Sequence, residues 1–366
     1  MKKLAFIVFT LCLPALAWAA TGEPLATIQW NGTAHDGVFA LARRGDELWA
    51  ATNFGLLLKR GSKPWETAVK SNGNALLGIG FSPQGDGIAV GQNGLLMEVK
   101  PNSENWKTQN SGVKHRLMWV ASNSRGDFLV VGAFGTVLYR AAGSDQWQKV
   151  AVKSSQGEEP HLYGAFFVSD DEALVVGENE SLLDFDKGNI VQQVELGQPP
   201  ASASSKSSPG GDQGDTVVTP SLFTVTYCDG MLVAAGQRGL VLSKSLAAET
   251  KAAPKPAPKR ARGRKKPDKA DKQPTGLLAD WHSAEISGQP DVYGLACTVG
   301  GTLIGVSNNG TIVTGTRQAG TDLAWQTIYA KGLYAPWLSA VLPSGNDNFL
   351  VAGPANIWEV SFSNGK

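Results

Sequence analysis

One pattern recurs seven times along this chain and restricts its fold more than any other feature. An apolar strand ends in small residues, turns tightly and continues as a second apolar strand. The clearest copies are IAVGQNGLLMEV at 88–99, LVVGAFGTVLYR at 129–140, LVVGENESLLDF at 174–185 and LVAAGQRGLVLS at 232–243. Flanking copies are LWAATNFGLLLK at 48–59, LIGVSNNGTIVT at 303–314 and FLVAGPANIWEV at 349–360. Gly55, Gly94, Gly135, Glu180, Gly239, Gly310 and Asn356 hold the turn position, so successive copies lie 39, 41, 45, 59, 71 and 46 residues apart. Glycine suits this point because a tight hairpin needs a residue tolerant of positive φ. Asn356 is the nearest substitute. Glu180 is a poor one, which predicts a looser or displaced turn in the fourth copy.

A tryptophan follows most copies and opens a further short strand: Trp65, Trp106, Trp147, Trp325 and, beyond an insertion, Trp281. Large aromatics at one repeat position suit the gap between neighbouring sheets. Repeats of about forty residues with four short strands each are the mark of a β-propeller. The reading is therefore all-β, a seven-bladed β-propeller. The seventh copy ends at Phe362, one strand short, and Leu25–Trp30 offers a spare strand before the first copy. That N-terminal strand is predicted to close the last blade from outside, which removes an open seam.

The N-terminus predicts export. Met1-Lys2-Lys3 is basic, Leu4 to Leu16 is apolar apart from Thr10 and Pro14, and Ala17-Trp18-Ala19 fits a cleavage site after Ala19. Residues 1–19 are thus expected to be a signal peptide, 20–366 a single propeller domain, and the location periplasmic. Two cysteines remain after cleavage, Cys228 and Cys297. An oxidising compartment would allow them to pair. Both fall at the turn between the first two strands, in blades five and six, on the side of the ring opposite the channel mouth where those strands begin.

Two insertions interrupt the repeat. Residues 197–219 are rich in Ser, Gly and Pro and predict a disordered connection between blades four and five. Residues 246–278 lie between the third and fourth strands of blade five and are also expected to be disordered. Residues 251–272 hold ten Lys/Arg against Asp268 and Asp271, a net +8. Lys2 and Lys3 add +2, and the whole chain carries +1, so the remainder carries −9. The densest charge is Lys259, Arg260, Arg262, Arg264, Lys265 and Lys266. Such a run fits an anionic lipid or protein surface, or a solvated loop lying on its own acidic body. Nucleic acid is disfavoured by the export signal and by the lack of interleaved aromatics.

Strand pair, Val-Gly-x-x-Gly, apolar strand, then Ser/Asp-x-x-Trp resembles the BNR or Asp-box propellers. Within that group the chain resembles the photosystem II stability/assembly factor-like proteins. His161-Leu-Tyr-Gly-Ala-Phe-Phe and Asp291-Val-Tyr-Gly-Leu-Ala match the opening strand of that group. The Asp-box is eroded: Ser144-Asp145-Gln146-Trp147 and Ser103-Glu104-Asn105-Trp106 lack the usual Asp-Gly-Gly-x-Thr. The resemblance implies a non-enzymatic protein that holds or assembles a membrane protein complex. Bacterial relatives imply an RND-type transporter as a partner class. No cofactor and no metal are expected, and the chain is expected to be monomeric by itself.

Related propellers include sialidases, which need paired carboxylates and an arginine cluster. Arg116 and Arg238 are too few for that cluster, and no nucleophile elbow, P-loop or metalloprotease motif is present. A glycan-binding propeller or a sialidase-like hydrolase remains the alternative. The predicted partner surface is one channel mouth, with Tyr163, Tyr293, Tyr334 and Trp337 near strand starts and Arg116 and Arg238 beside them. Aromatics and arginine are the usual anchors of protein contacts. His35, His115 and His161 precede their turn positions by 20, 20 and 19 residues and are expected at near-equivalent places around that mouth. A metal or anion there is one reading of them, and polar residues at an exposed strand start the other.

Overall fold

The computed structural model describes residues 23–33, 35–71, 73–152, 159–196, 219–246, 275–345 and 348–362. Seven four-stranded antiparallel sheets form a ring. Their innermost strands are Val38–Arg44, Leu76–Phe81, Leu117–Ser122, Leu162–Phe167, Leu222–Cys228, Gly294–Cys297 and Ala340–Pro343. Six blades run in sequence order from inside to outside. The seventh contains Ala340–Pro343, Asn348–Ala352, Asn356–Ser361 and, as its outer strand, Leu25–Asn31. Leu25 pairs with Ser361 and Asn31 with Asn356. The N-terminal strand therefore closes the ring, as the repeat count required.

The core lies between blades. Among the described residues, seven apolar clusters each bridge one pair of adjacent sheets. Trp106 meets Trp49 of blade one at 5.6 Å between ring centroids, and Trp65 sits against blade seven. Trp147, Trp281 and Trp325 pack into the corresponding gaps behind their own blades. An aromatic at this repeat position buries a large apolar area at five of the seven seams, roughly 1.5–3 kcal/mol for each fully buried side chain. The repeated Trp thus fastens the outer strand to the preceding blade in blades one, two, three, five and six.

Two turn expectations need correcting. Glu180 does not loosen its hairpin. Asn179 and Glu180 stand at φ 56° and 52°, and Ser181 N–H donates to the Glu178 carbonyl, as Leu95 N–H does to Gln92 across Asn93 and Gly94. The Glu180 N–H donates across the seam to the Pro220 carbonyl at 3.0 Å, so a tertiary bond holds a conformation its side chain disfavours. Asn356 is not the left-handed residue of its turn either. That loop is one residue shorter than the others, Ala355 takes φ 61°, and Asn356 already begins the next strand.

The insertions also differ from expectation at one end. The segment 246–278 does not stay irregular to its last residue: Gly276–Leu278 form a 3₁₀ turn. Leu277 and Leu278 are buried between blades four and five, which explains the order of the return. Residues 1–19, expected to be a signal peptide, and the basic residues Lys259, Arg260, Arg262, Arg264, Lys265 and Lys266 lie outside the described residues.

Candidate functional site

The face on which the chain arrives at each innermost strand is the upper face, and the turns between second and third strands share it. One residue at or just before the start of every innermost strand is treated alike there. In blades one to five the register shifts at Phe39, Leu77, Met118, Tyr163 and Phe223, so two residues oppose one. Blades six and seven repeat this at Tyr293 and Ser339, whose N–H groups donate to Val306 and Ala352. A β-bulge re-aims the side chain it carries. All seven residues are half-buried while nearly all their chain neighbours are buried. Six of the seven are large and apolar or aromatic, so the mouth wears a collar.

Rings connect this collar sideways. Phe39 stacks on Trp337 at 5.6 Å, and Phe223 stacks on Tyr293 at 5.4 Å. Tyr163 meets Phe223 edge-on at 5.3 Å. Burial, then the charge and hydrogen bond of Glu178, push the Tyr163 hydroxyl up to about 12, against a smaller opposing influence of Arg116. Tyr293 is raised by burial and then by Asp291, whose carboxylate accepts from its hydroxyl at 3.5 Å. Both phenols therefore remain neutral donors at physiological pH. Below the collar the channel narrows to a cavity of about 70 Å³ lined by Phe39, Leu41, Ile79, Trp119, Leu295 and Val341, among others. That holds about two waters at roughly 30 Å³ each. The collar is consequently the floor of a surface patch.

Around the collar stand the turn tips. Asn93, Asn179 and Asn309 occupy the left-handed position in blades two, four and six, where asparagine is tolerated. Blades three and five place Phe134 and Arg238 there, at φ 53° and 55°. Phe134 is 54% exposed. Large side chains in this region are strained, and such strain concentrates at sites of function.

Arg116, His161, Asp291 and Trp337 are equivalent: each directly precedes a buried apolar residue and stands two residues before its blade's bulge. From there Asp291 accepts the Arg238 N–H at 2.9 Å and His161 Nδ1 accepts the Phe134 N–H at 3.0 Å. Arg116 is exposed beside Tyr163, and Tyr334 projects at 87% exposure from the approach to blade seven. The three histidines are not equivalent, which corrects the spacing argument. His161 immediately precedes its strand, His115 lies two residues before its own and His35 three. His115 and His161 flank Phe134 at 5.1 and 4.7 Å, and no contact brings His35 to them. Among the described residues no group of three His, Cys, Asp or Glu is placed to hold a metal ion.

Sequence reasoning had named Tyr163, Tyr293 and Trp337 but not Phe39, Leu77, Met118, Phe223 or Phe134. Aligning this position across all seven innermost strands would have exposed most of the collar. On the opposite, lower face Cys228 and Cys297 form a disulfide with Cα atoms 5.3 Å apart. That face also holds a wide bowl of about 820 Å³ lined by Arg43, Phe81, Ser82, Ser122, Phe167 and Asp170, among others.

Fold and face together define a closed seven-bladed propeller with an apolar and aromatic collar at its upper mouth. Residues 33–186, which run from blade one into blade four, match the family described as photosynthesis system II assembly factor YCF48. The resemblance drawn from the repeats is thereby borne out over that part of the chain. No curated protein matches in sequence. Among solved structures, the WD40 β-propeller domain of Doa1 is 12% identical, with a TM-score of 0.63 over 94% of this chain and 98% of that one. The β-propeller domain of Myceliophteria thermophila Cps50 (Swd1) is 9% identical, with a TM-score of 0.64 over 93% and 100%. Those two likenesses concern the fold alone. Kinship with an assembly-factor family fits a scaffold or assembly role and suggests a non-enzymatic propeller.

Proposed function

We propose that this chain is an exported, non-enzymatic docking scaffold whose upper face binds a protein of a membrane-associated complex in the periplasm. The observation that carries the reading is the collar: six of the seven bulges place large apolar or aromatic side chains at one mouth, ringed by the strained tips Phe134 and Arg238. An aromatic centre with a polar rim is the composition of a protein interface. The partner class implied by the family resemblance is an RND-type transporter. The basic segment 251–272 would meet an anionic surface. Its described ends, Leu246 and Thr275, lie on the lower face, so both contacts could be made at once.

Cross-linked capture from membranes tests this. Arg116→Ala, Arg238→Ala and Trp337→Ala combined should reduce capture of the same partner by about tenfold or more. Val299→Ala, at an 86% exposed site on the lower face, should leave it intact. Equal capture by both variants removes the upper face from the reading. The glycan alternative has its best seat in the hydroxyl-lined lower bowl. Binding on a glycan array that is lost in Phe81→Ala would favour it.

A further inference from the structure

The tip of blade three is clipped to blade four by two hydrogen bonds. Gly135 N–H donates to the Pro160 carbonyl at 2.8 Å, and Phe134 N–H donates to His161 Nδ1 at 3.0 Å. Blade five has the same clip, from Gly239 N–H to Pro290 and from Arg238 N–H to the Asp291 carboxylate. The acceptors differ in chemistry. A carboxylate accepts over the whole neutral range, whereas an imidazole nitrogen accepts only while it carries no proton. His161 must therefore be neutral, with its proton on Nε2, to hold Phe134 in its left-handed conformation.

His115, on the other side of the Phe134 ring, has the opposite requirement. The Thr136 hydroxyl donates to the Ala133 carbonyl at 2.6 Å, so towards His115 Nδ1, 3.3 Å away, it acts as acceptor. His115 thus donates through Nδ1, and a proton on its other nitrogen leaves that bond in place.

We propose that His161 is a protonation gate on the docking face: neutral, it fixes the blade-three tip and presents Phe134, and protonated, it lets the tip go. Histidine changes charge between about pH 5 and 8. Protonation would set an Nδ1–H against the Phe134 N–H, two donors facing each other, and the strained φ of 53° would lose its support. The charged groups around the ring are Glu178, whose Oε2 accepts the His161 N–H at 2.8 Å, Glu159 beside Gly135, and Arg116 and His115 from blade three. Tyr163 lies edge-on at 6.5 Å. The consequence for partner binding rests on the upper-face reading; the gate itself does not.

The test is amide exchange by NMR on the full chain, expressed as protection factors so that intrinsic pH effects cancel. From about pH 8 to about pH 5 the protection of Phe134 should fall about tenfold and follow the ring ¹⁵N titration of His161. The Arg238 amide, held by Asp291, should stay flat. His161→Gln supplies a carbonyl acceptor at every pH and should abolish the Phe134 response, while His115→Gln should keep it. Unchanged protection of Phe134, an equal fall at Arg238, or a response that survives His161→Gln would each overturn the gate. Partner capture by His161→Gln at both pH values then reads the docking face separately: a gate that operates without changing capture would count against the face, not the gate.

Discussion

On the lower face side chains reach from blade to blade, whereas on the upper face the polar groups support strained tips and leave their side chains outward. Arg44 donates from blade one to the Gly85 carbonyl of blade two at 3.0 Å, and Gln84 donates onward to Ser124 of blade three at 3.0 Å. Asn123 Nδ2 reaches the Asp170 carbonyl at 2.8 Å, and Arg125 pairs with Asp171 at 2.7 Å. Phe166 stacks on Tyr227, the disulfide joins blades five and six, and Arg43 reaches back to Pro343 of blade seven. A propeller of separate sheets needs such links, since each blade contacts only its neighbours. This lower belt of side-chain links gives the upper loops a rigid base for conformations that would otherwise be costly.

The largest break in this contrast should come from the disulfide. Cys228 and Cys297 are 69 residues apart. Loop-closure entropy for that separation is worth about 4 kcal/mol. Cys228→Ser with Cys297→Ser should lower urea stability by about that much and leave the upper-face tips unchanged. A loss under 1 kcal/mol would mean that the other seams carry the ring.

A slightly smaller loss should follow Glu98→Gln. Glu98 and Arg140 pair across blades two and three, at 7% and 4% side-chain exposure. Burial raises the Glu98 carboxyl, but hydrogen bonds from Lys100 and Arg140 outweigh it and hold the group below its ordinary range. Its contribution is thus complete at neutral pH and is lost as pH falls through that depressed value. Removing the charge strands Arg140 beneath Phe128 and Trp147, which should cost about 3 kcal/mol in denaturant melts at pH 7.

Asp184 should act with the opposite sign. It is 8% exposed at the seam of blades four and five, and among the described residues its Oδ1 has no hydrogen-bond partner. Burial, then the nearby Glu172 and Asp186, push its carboxyl up to about 6, with Lys244 opposing. A raised acid favours the folded state most below its ordinary value near 3.8 and loses that advantage as pH rises through about 6. Asp184→Asn should therefore stabilise the chain by about 1–2 kcal/mol at pH 8, less than full linkage because solvent reaches the seam, and not at all at pH 4. A stabilisation equal at both pH values would place the effect elsewhere.

What the sequence revealed follows the same division. Blade number and closure were legible because a left-handed tip selects glycine and a seam selects tryptophan, so chemistry repeated where geometry repeated. Glu180 misled because its backbone is fixed by Pro220, 40 residues away. Asn356 misled because its loop is one residue shorter than the others, so that Ala352 pairs with Ile357 where Val90 pairs with Leu96. The collar escaped because a bulge leaves no compositional mark: Phe, Leu, Met, Tyr and Ser all occupy it, and only their common register unites them. The lower links escaped for a related reason. Arg44, Gln84, Asn123 and Arg125 look like ordinary turn residues until the ring brings turns some forty residues apart into contact.

The smallest expected effect bears most directly on the contrast. Phe134→Asn places the residue found in blades two, four and six at the tip of blade three. It relieves a left-handed phenylalanine, worth about 1 kcal/mol, and loses partial packing of an exposed ring between two imidazoles, worth somewhat less. The net should be a gain of about 0.5 kcal/mol, read from paired denaturation curves. Capture of the upper-face partner should nonetheless fall by about tenfold, because the exposed ring is removed while the fold tightens. Stability and binding moving in opposite directions would identify Phe134 as strain retained for recognition. If both fell together, the phenyl ring would be a packing element, and the upper face would differ from the lower only in which residues hold it together.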